Sequence, residues 1–105
     1  MEPLGRIGAA TVDVLQVLLD SDRPRWGLEV IKTTGRPSGS VYPLLERLEQ
    51  HGWVVSSWEV ETERRGPRRR LYELTVEGAQ EARRVCARAT ARGVTPRPFR
   101  PREAG

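Results

Sequence analysis

Hydroxyl, aromatic and arginine side chains that could contact nucleic acid lie close together in residues 38–47. These side chains are Ser38, Ser40, Tyr42, Pro43 and Arg47. Hydroxyls and free N–H groups at a helix N-terminus suit phosphate contact, and the helix dipole favours negative charge there. Tyr42 could pack on a thymine methyl group or reach a phosphate, and Arg47 could reach a base or the backbone. This spacing predicts a helix that contacts DNA.

A second group of arginines surrounds Gly66-Pro67: Arg64, Arg65, Arg68, Arg69 and Arg70. A turn that carries arginines can lie along the DNA backbone or enter a narrow minor groove, because guanidinium is planar and weakly hydrated. On a strand, Arg68 and Arg70 share a face with Tyr72, whereas Arg69 points the other way. We therefore include Arg64, Arg65, Arg68 and Arg70 among the predicted DNA contacts.

Both groups also have a purely structural interpretation. The two serines could simply cap the helix, and Arg47 could pair with Glu46 or Glu49 on a solvated face. The arginines of the turn could be offset by the three glutamates that precede them at positions 59, 61 and 63. These alternatives remain open at the level of sequence.

Composition excludes several classes of protein. One cysteine and one histidine among 105 residues can form neither an internal disulfide nor a zinc site. No apolar run approaches the roughly 18 residues that cross a bilayer, and no secretory signal is visible at the start, so we expect a cytoplasmic protein. No nucleophile–base pair or carboxylate dyad has a suitable spacing. We therefore expect neither catalysis nor a cofactor or metal.

The formal charge of +4 is distributed unevenly. Residues 83–105 hold seven arginines and one glutamate, a net charge of +6, whereas residues 1–82 carry a net charge of −2. Residues 93–105 contain three prolines and three arginines without periodicity. This composition predicts a disordered tail after a domain that comprises residues 1–92.

The periodicity of the domain predicts the order α-α-α-β-β-α. The first helix includes residues 12–19, the second spans about 26–34, and the third begins after a cap at Ser38 or Ser40. A strand from residue 53 to 62, a hairpin tip at 63–67, a strand at 68–74 and a helix at 76–92 follow. The fold class is therefore mainly α with a β-hairpin wing, a winged helix-turn-helix.

The first helix has an apolar arc wider than one core requires, which predicts that it also contacts a second copy of the chain. The residues that we expect at this dimer interface are Val12, Leu15, Leu19, Ala82, Val85 and Ala89. Trp53 and Trp58 are expected to close the core and the base of the hairpin. Cys86 is expected to be a small buried hydrophobic residue.

Three segments, Trp26–Lys32, Ser38–Glu49 and Gly66–Gly78, resemble the PadR family of bacterial transcriptional regulators. The most specific match is Ser-x-Ser-Val-Tyr-Pro followed by Leu-Glu-Arg-Leu-Glu in the second segment. The chain departs from the family pattern at Trp26-Gly27-Leu28, where members often show His-Gly-Tyr, and in a last helix rich in alanine. The resemblance covers residues 9–85, and the chain has room only for the short form of the family.

This resemblance implies a dimeric winged-helix repressor whose third helix enters the major groove of double-stranded DNA. It also implies a response to a small-molecule effector, which the sequence does not identify. The hypothesis is a homodimer that binds an inverted-repeat operator. The alternative is a winged-helix protein-interaction module, or a non-specific nucleic-acid binder that uses its basic last helix and tail.

Overall fold

The computed structural model describes residues 1–60 and 66–93, which form four helices and a three-stranded antiparallel sheet. In chain order the elements are α1 (Ala9–Leu19), β1 (Arg25–Trp26), α2 (Gly27–Thr34), α3 (Ser38–Gln50), β2 (Val54–Trp58), β3 (Arg70–Leu74) and α4 (Val76–Ala91). The predicted mainly α winged helix is confirmed, with one strand, β1, that the sequence did not predict. The two strands of the predicted hairpin are shorter than expected.

Helix α1 is the central helix of the fold, because it contacts α2, α3, α4 and β3. Its side chains are therefore buried on nearly every side, including the polar Thr11 and Asp13. This packing places most of the wide apolar arc of the helix in the core of the single chain.

The residues predicted at the dimer interface also contribute to the packing of the single chain. Their side chains serve the core of the single chain: Val12, Leu15, Ala82, Val85 and Ala89 are all buried there, and Leu19 packs against the core while partly exposed. Small side chains along α4 allow it to lie close to α1, so the alanine-rich stripe is an intramolecular contact. A contact of these residues with a second copy of the chain stays a prediction.

An ion pair joins α1 to the turn that precedes α3. The Nε of Arg36 donates to the carboxylate of Asp13 over 2.7 Å, and the Asp13 side chain is only 4% exposed. Arg36 follows Gly35, whose left-handed backbone (φ 73°) ends α2. A buried carboxylate needs such a partner, and the pair holds the turn against the central helix.

Helix α2 begins at the end of β1. The backbone N–H of Trp26 donates to the side chain of Glu29 over 2.9 Å, and Arg23 donates to the same carboxylate. The hydrogen bond from Arg23 is the main cause that lowers the pKa of Glu29, and the bond from Trp26 adds to it. β1 pairs with β3, with Arg25 opposite Tyr72, so this helix start is tied to the sheet.

The N-terminal segment, residues 1–8, crosses the end of α3 and the start of α4, a contact that the sequence did not predict. The indole Nε1 of Trp53 donates to the carbonyl of Glu2 over 2.7 Å, and the N–H of Glu2 donates to the carbonyl of His51 over 2.9 Å. The side chain of Leu4 is buried in the core. The segment therefore covers Trp53, which is 2% exposed.

Helix α4 begins at Val76, where the predicted helix at 76–92 begins, and Thr75 is its N-cap residue. The hydroxyl of Thr75 accepts a hydrogen bond from the N–H of Gly78 over 2.8 Å and donates to the carbonyl of Gly52 over 3.0 Å. A Cβ at Gly78 would lie 2.0 Å from the carbonyl oxygen of Trp53, so only glycine allows this close approach. These contacts attach α4 to the segment between α3 and β2.

Within residues 1–60 and 66–93, no helix is long and apolar enough to cross a membrane. The same residues contain no group of histidine, cysteine and acidic side chains that could hold a metal ion. The predicted hairpin tip lies mostly outside the described residues, and so does the predicted tail apart from Gly93.

Candidate nucleic-acid interface

The exposed face of α3 carries four of the predicted contacts. Ser38, Ser40, Tyr42 and Pro43 are exposed, whereas Val41 and Leu45 are buried in the core. This division follows from the helical repeat of about 100° per residue. The buried side chains fix the rotation of α3, and Tyr42 is left 44% exposed.

The predicted serine cap of α3 is wrong. Pro37 is the N-cap residue, no side chain caps the helix, and Ser38 is the first helical residue. Pro37 has a fixed φ and an extended backbone (φ −68°, ψ 152°), which leads into the helix without help from a hydroxyl. The hydroxyls of Ser38 and Ser40, together with the first N–H groups of the helix, are thus directed to the surface where a phosphate could bind.

Tyr42 is packed from below by a glycine and a second tyrosine. A Cβ at Gly27 would lie 2.8 Å from Cε1 of Tyr42 and 3.4 Å from Cε1 of Tyr72. Gly27 begins α2, and Tyr72 lies on the central strand of the sheet. Three elements therefore meet beneath the Tyr42 ring. Burial raises the pKa of the Tyr72 hydroxyl, which keeps this group neutral.

Arg47 lies on a different side of α3. It is about 140° around the helix from Tyr42. Its guanidinium is half-buried and donates a short hydrogen bond to the carbonyl of Leu4. The structure therefore places Arg47 against the N-terminal segment, apart from the other predicted contacts on this helix. It pairs with neither Glu46 nor Glu49.

Arg70 is held in a chain of hydrogen bonds between the sheet and α3. Its guanidinium donates to the hydroxyl of Ser56 over 2.7 Å, and this hydroxyl donates to the carboxylate of Glu49 over 2.6 Å. The guanidinium also lies 4.9 Å from the ring centre of Trp58, a cation–π distance. Arg70 thus links β2 and β3 to α3, which fixes the wing relative to the helix.

The other arginines of the second group have different surroundings. Arg68 is exposed just before β3. Arg69 stacks on Trp26, with its guanidinium carbon 3.9 Å from the ring centre, on the sheet face opposite Arg70. Arg64 and Arg65 lie outside the described residues, so their contact with DNA stays a prediction.

Trp58 differs from its predicted role. Trp53 closes the core as expected, but Trp58 is 54% exposed at the end of β2. It lies opposite Arg70 in the pairing of β2 with β3. The sequence could not separate these two tryptophans, because the alternation along the strand does not show where the helices end.

The buried thiol of Cys86 agrees with the sequence prediction. Its side chain is buried between α4 and α1, with Sγ 3.9 Å from the carbonyl of Val12. Burial is the main cause that raises the pKa of the thiol to about 11. A neutral buried thiol behaves as a small apolar side chain.

A family model described as the transcriptional regulator PadR-like family matches residues 14–84. No curated protein matches the sequence. A PadR family transcriptional regulator from Eggerthella lenta is 31% identical in sequence, with a TM-score of 0.58. The match covers 77% of this chain and 76% of that one.

Two further structures have a similar fold. A PadR family transcription regulator from Clostridium difficile has a TM-score of 0.69 at 21% identity, over 82% of this chain and 92% of that one. The circadian clock associated protein Pex from Anabaena has a TM-score of 0.66 at 22% identity, over 80% and 76%. With the family model matching more than half of its residues, this chain belongs to the PadR-like family of DNA-binding transcriptional regulators.

Proposed function

We propose that the chain is a cytoplasmic repressor that binds an inverted-repeat operator in double-stranded DNA as a homodimer. Residues 1–92 form the DNA-binding domain in this proposal. Two copies of α3 enter successive major grooves about 34 Å apart, which requires a two-fold symmetric site. The small-molecule effector that the family resemblance implies stays a prediction.

The observation that carries the proposal is the outward position of Tyr42 at the N-terminal half of α3. The ring is exposed, yet Gly27 and Tyr72 support it from below, so it has a defined place on the surface. The hydroxyls of Ser38 and Ser40 lie on the exposed first turn of the same helix. Aromatic and hydroxyl groups around a helix start suit both thymine methyl groups and phosphates.

The wing supplies the second part of the proposed interface. Arg68 is exposed, and the chain of hydrogen bonds through Ser56 fixes β2 and β3 against α3. In this proposal Arg64, Arg65 and Arg68 contact phosphates or the minor groove. Arg70 acts mainly by positioning the wing, since its guanidinium is bound to Ser56 and Trp58.

Selection of bound sequences from a random pool of double-stranded DNA tests this function. We expect an enriched inverted repeat at near-physiological salt. The Tyr42→Ala variant should lose most of its specific affinity, about tenfold or more, while its affinity for random DNA changes little. An equal loss on specific and random DNA would assign Tyr42 to a different role.

The wing is tested with the double variant Arg64→Ala/Arg65→Ala. It should weaken binding to all sequences and make the dependence of log K on log salt less steep, because fewer counterions are released. An unchanged salt slope would exclude phosphate contact by these two arginines.

The charge distribution favours one second candidate, a binder that uses the net +6 of residues 83–105 and does not read sequence. Removal of residues 94–105 separates the two candidates. Specific recognition should survive this removal if α3 and the wing bind the operator. Loss of all binding would favour the candidate that binds through the basic residues 83–105.

A further inference from the structure

Glu46 lies on the exposed face of α3, one turn after Tyr42. Residues four apart lie on the same side of a helix, so the two side chains are neighbours. Glu46 is exposed, and within residues 1–60 and 66–93 its carboxylate has no hydrogen bond and no ion pair. A free negative charge thus sits beside the side chain that carries the proposed function.

Two described arginines of α3 and β3, Arg47 and Arg70, donate to other groups and do not pair with this carboxylate. Arg47, the next residue, donates to the carbonyl of Leu4 on another side of the helix. Arg70 donates to Ser56, whose hydroxyl donates to Glu49. Glu49 therefore has a structural partner, whereas Glu46 has none among the residues that the structure describes.

An unpaired carboxylate on a surface that approaches DNA opposes binding, because each phosphate carries a negative charge. This electrostatic repulsion is offset only where the carboxylate accepts a hydrogen bond from a donor on the DNA. In the major groove the donors are the N4 amino group of cytosine and the N6 amino group of adenine. Adenine also presents N7, an acceptor that repels a carboxylate, so cytosine is the better partner.

Building on the function proposed above, we propose that Glu46 is a specificity-determining residue that accepts a hydrogen bond from the N4 amino group of a cytosine in each half-site. In this proposal α3 recognises one further base through a residue that lies one helical turn after Tyr42. Glutamine at this position would instead suit adenine, since its amide can bond N6 and N7 together.

The test is a parallel selection of bound DNA with the full-length wild-type chain, Glu46→Gln and the control Glu73→Gln. Glu73 is an exposed residue of β3 on the sheet face opposite Tyr72, so the control removes the same charge away from α3. We expect wild type to enrich C·G at one position of each half-site. Glu46→Gln should lose that preference by about tenfold, or change it to A·T, with the other positions unaltered. Glu73→Gln should keep the wild-type preferences.

A second measurement tests the contact at one atom. The selected cytosine is replaced by a pyrimidinone that lacks the N4 amino group, and affinity is measured for wild type and Glu46→Gln. The replacement should weaken wild type by about tenfold more than the variant. Equal weakening of both proteins would overturn the inference.

The remaining outcomes separate this inference from the proposed function. An inverted repeat enriched by wild type, with identical preferences for Glu46→Gln at every position, overturns the role of Glu46 and leaves the proposed function intact. Preferences altered across the whole half-site would mean a displaced helix, which also overturns it. If wild type enriches no sequence, the proposed function fails and the inference with it.

Discussion

The ring of Tyr42 occupies the space above Gly27 that the Cβ of any other residue would need, with only 2.8 Å between that Cβ and Cε1 of the ring. Gly27 therefore controls where Tyr42 lies on the surface of α3. The contact also joins α2 to α3 directly, because Gly27 begins one helix and Tyr42 belongs to the other. The proposed DNA contact thus depends on a residue that is not itself among the predicted DNA contacts.

The Gly27→Ala variant should keep its fold and lose about tenfold in affinity for the selected operator. The tyrosine ring can move aside at small cost in stability, but it then leaves the position from which it contacts a base. Binding to operator and random DNA, measured with the melting temperature, checks this prediction. In a Tyr42→Ala background the same glycine change should have no further effect on affinity. If Gly27→Ala lowered operator affinity equally in wild type and in Tyr42→Ala, the prediction would be contradicted.

Asp13→Asn should destabilise the chain by about 1–3 kcal/mol, because Arg36 loses a charged partner at a largely buried site. Arg36 is 28% exposed, and water can therefore replace part of the interaction. The free energy of unfolding in urea provides the measurement. The matched control is Asp22→Asn, an exposed position, which should change this energy by less than about 0.5 kcal/mol. If both variants lowered the free energy of unfolding equally, the ion pair between Asp13 and Arg36 would add no particular stability.

Leu4→Ala tests whether the N-terminal segment belongs to the core. Leu4 is buried beside Trp53, and we expect a loss of about 2–3 kcal/mol in the free energy of unfolding. Pro3→Ala is the control, since Pro3 is exposed and contributes mainly a backbone carbonyl to His51. A loss no larger than that of the control would show that the segment adds little stability.

Cys86 predicts a dependence of stability on alkaline pH. Burial raises the pKa of the folded thiol to about 11 from an ordinary value of 9.0, so between these values the unfolded chain releases its proton first. Ionisation therefore favours unfolding, and stability falls as the pH rises through this window. Urea unfolding of wild type and Cys86→Ala at pH 8 and pH 10 provides the comparison. Relative to wild type, the variant should have a higher free energy of unfolding at pH 10 than at pH 8. The same difference in this free energy at both pH values would contradict the prediction.

The sequence predicted the helices well because their apolar spacing and their end residues agree. Val41, Leu45 and Leu48 are buried at a helical spacing, and α4 begins at Val76, where the predicted helix begins. The exposed position of Tyr42 followed from the same spacing. These features are local in the chain, so periodicity is sufficient to find them.

The features that the sequence missed depend on residues far apart in the chain. β1 has only two residues and no alternation, and it becomes a strand because β3 pairs with it. The carbonyl of Leu4 takes Arg47 away from the proposed DNA contacts. The wide apolar arc of α1 packs against four other elements of the same chain, which a helical wheel does not show. Long-range packing decided each case.

The pairing of β1 with β3 also sets the order in which the chain can fold. Arg25 lies opposite Tyr72, nearly half the chain length away, whereas β2 and β3 are joined by one short connection. Closing the longer loop costs more chain entropy, so the hairpin and the helices should form before β1 docks. The amide hydrogen of Arg25 should then exchange with solvent sooner than those in the middle of β3. Slow exchange at β1 would mean that the wing and the helix-turn-helix open only together.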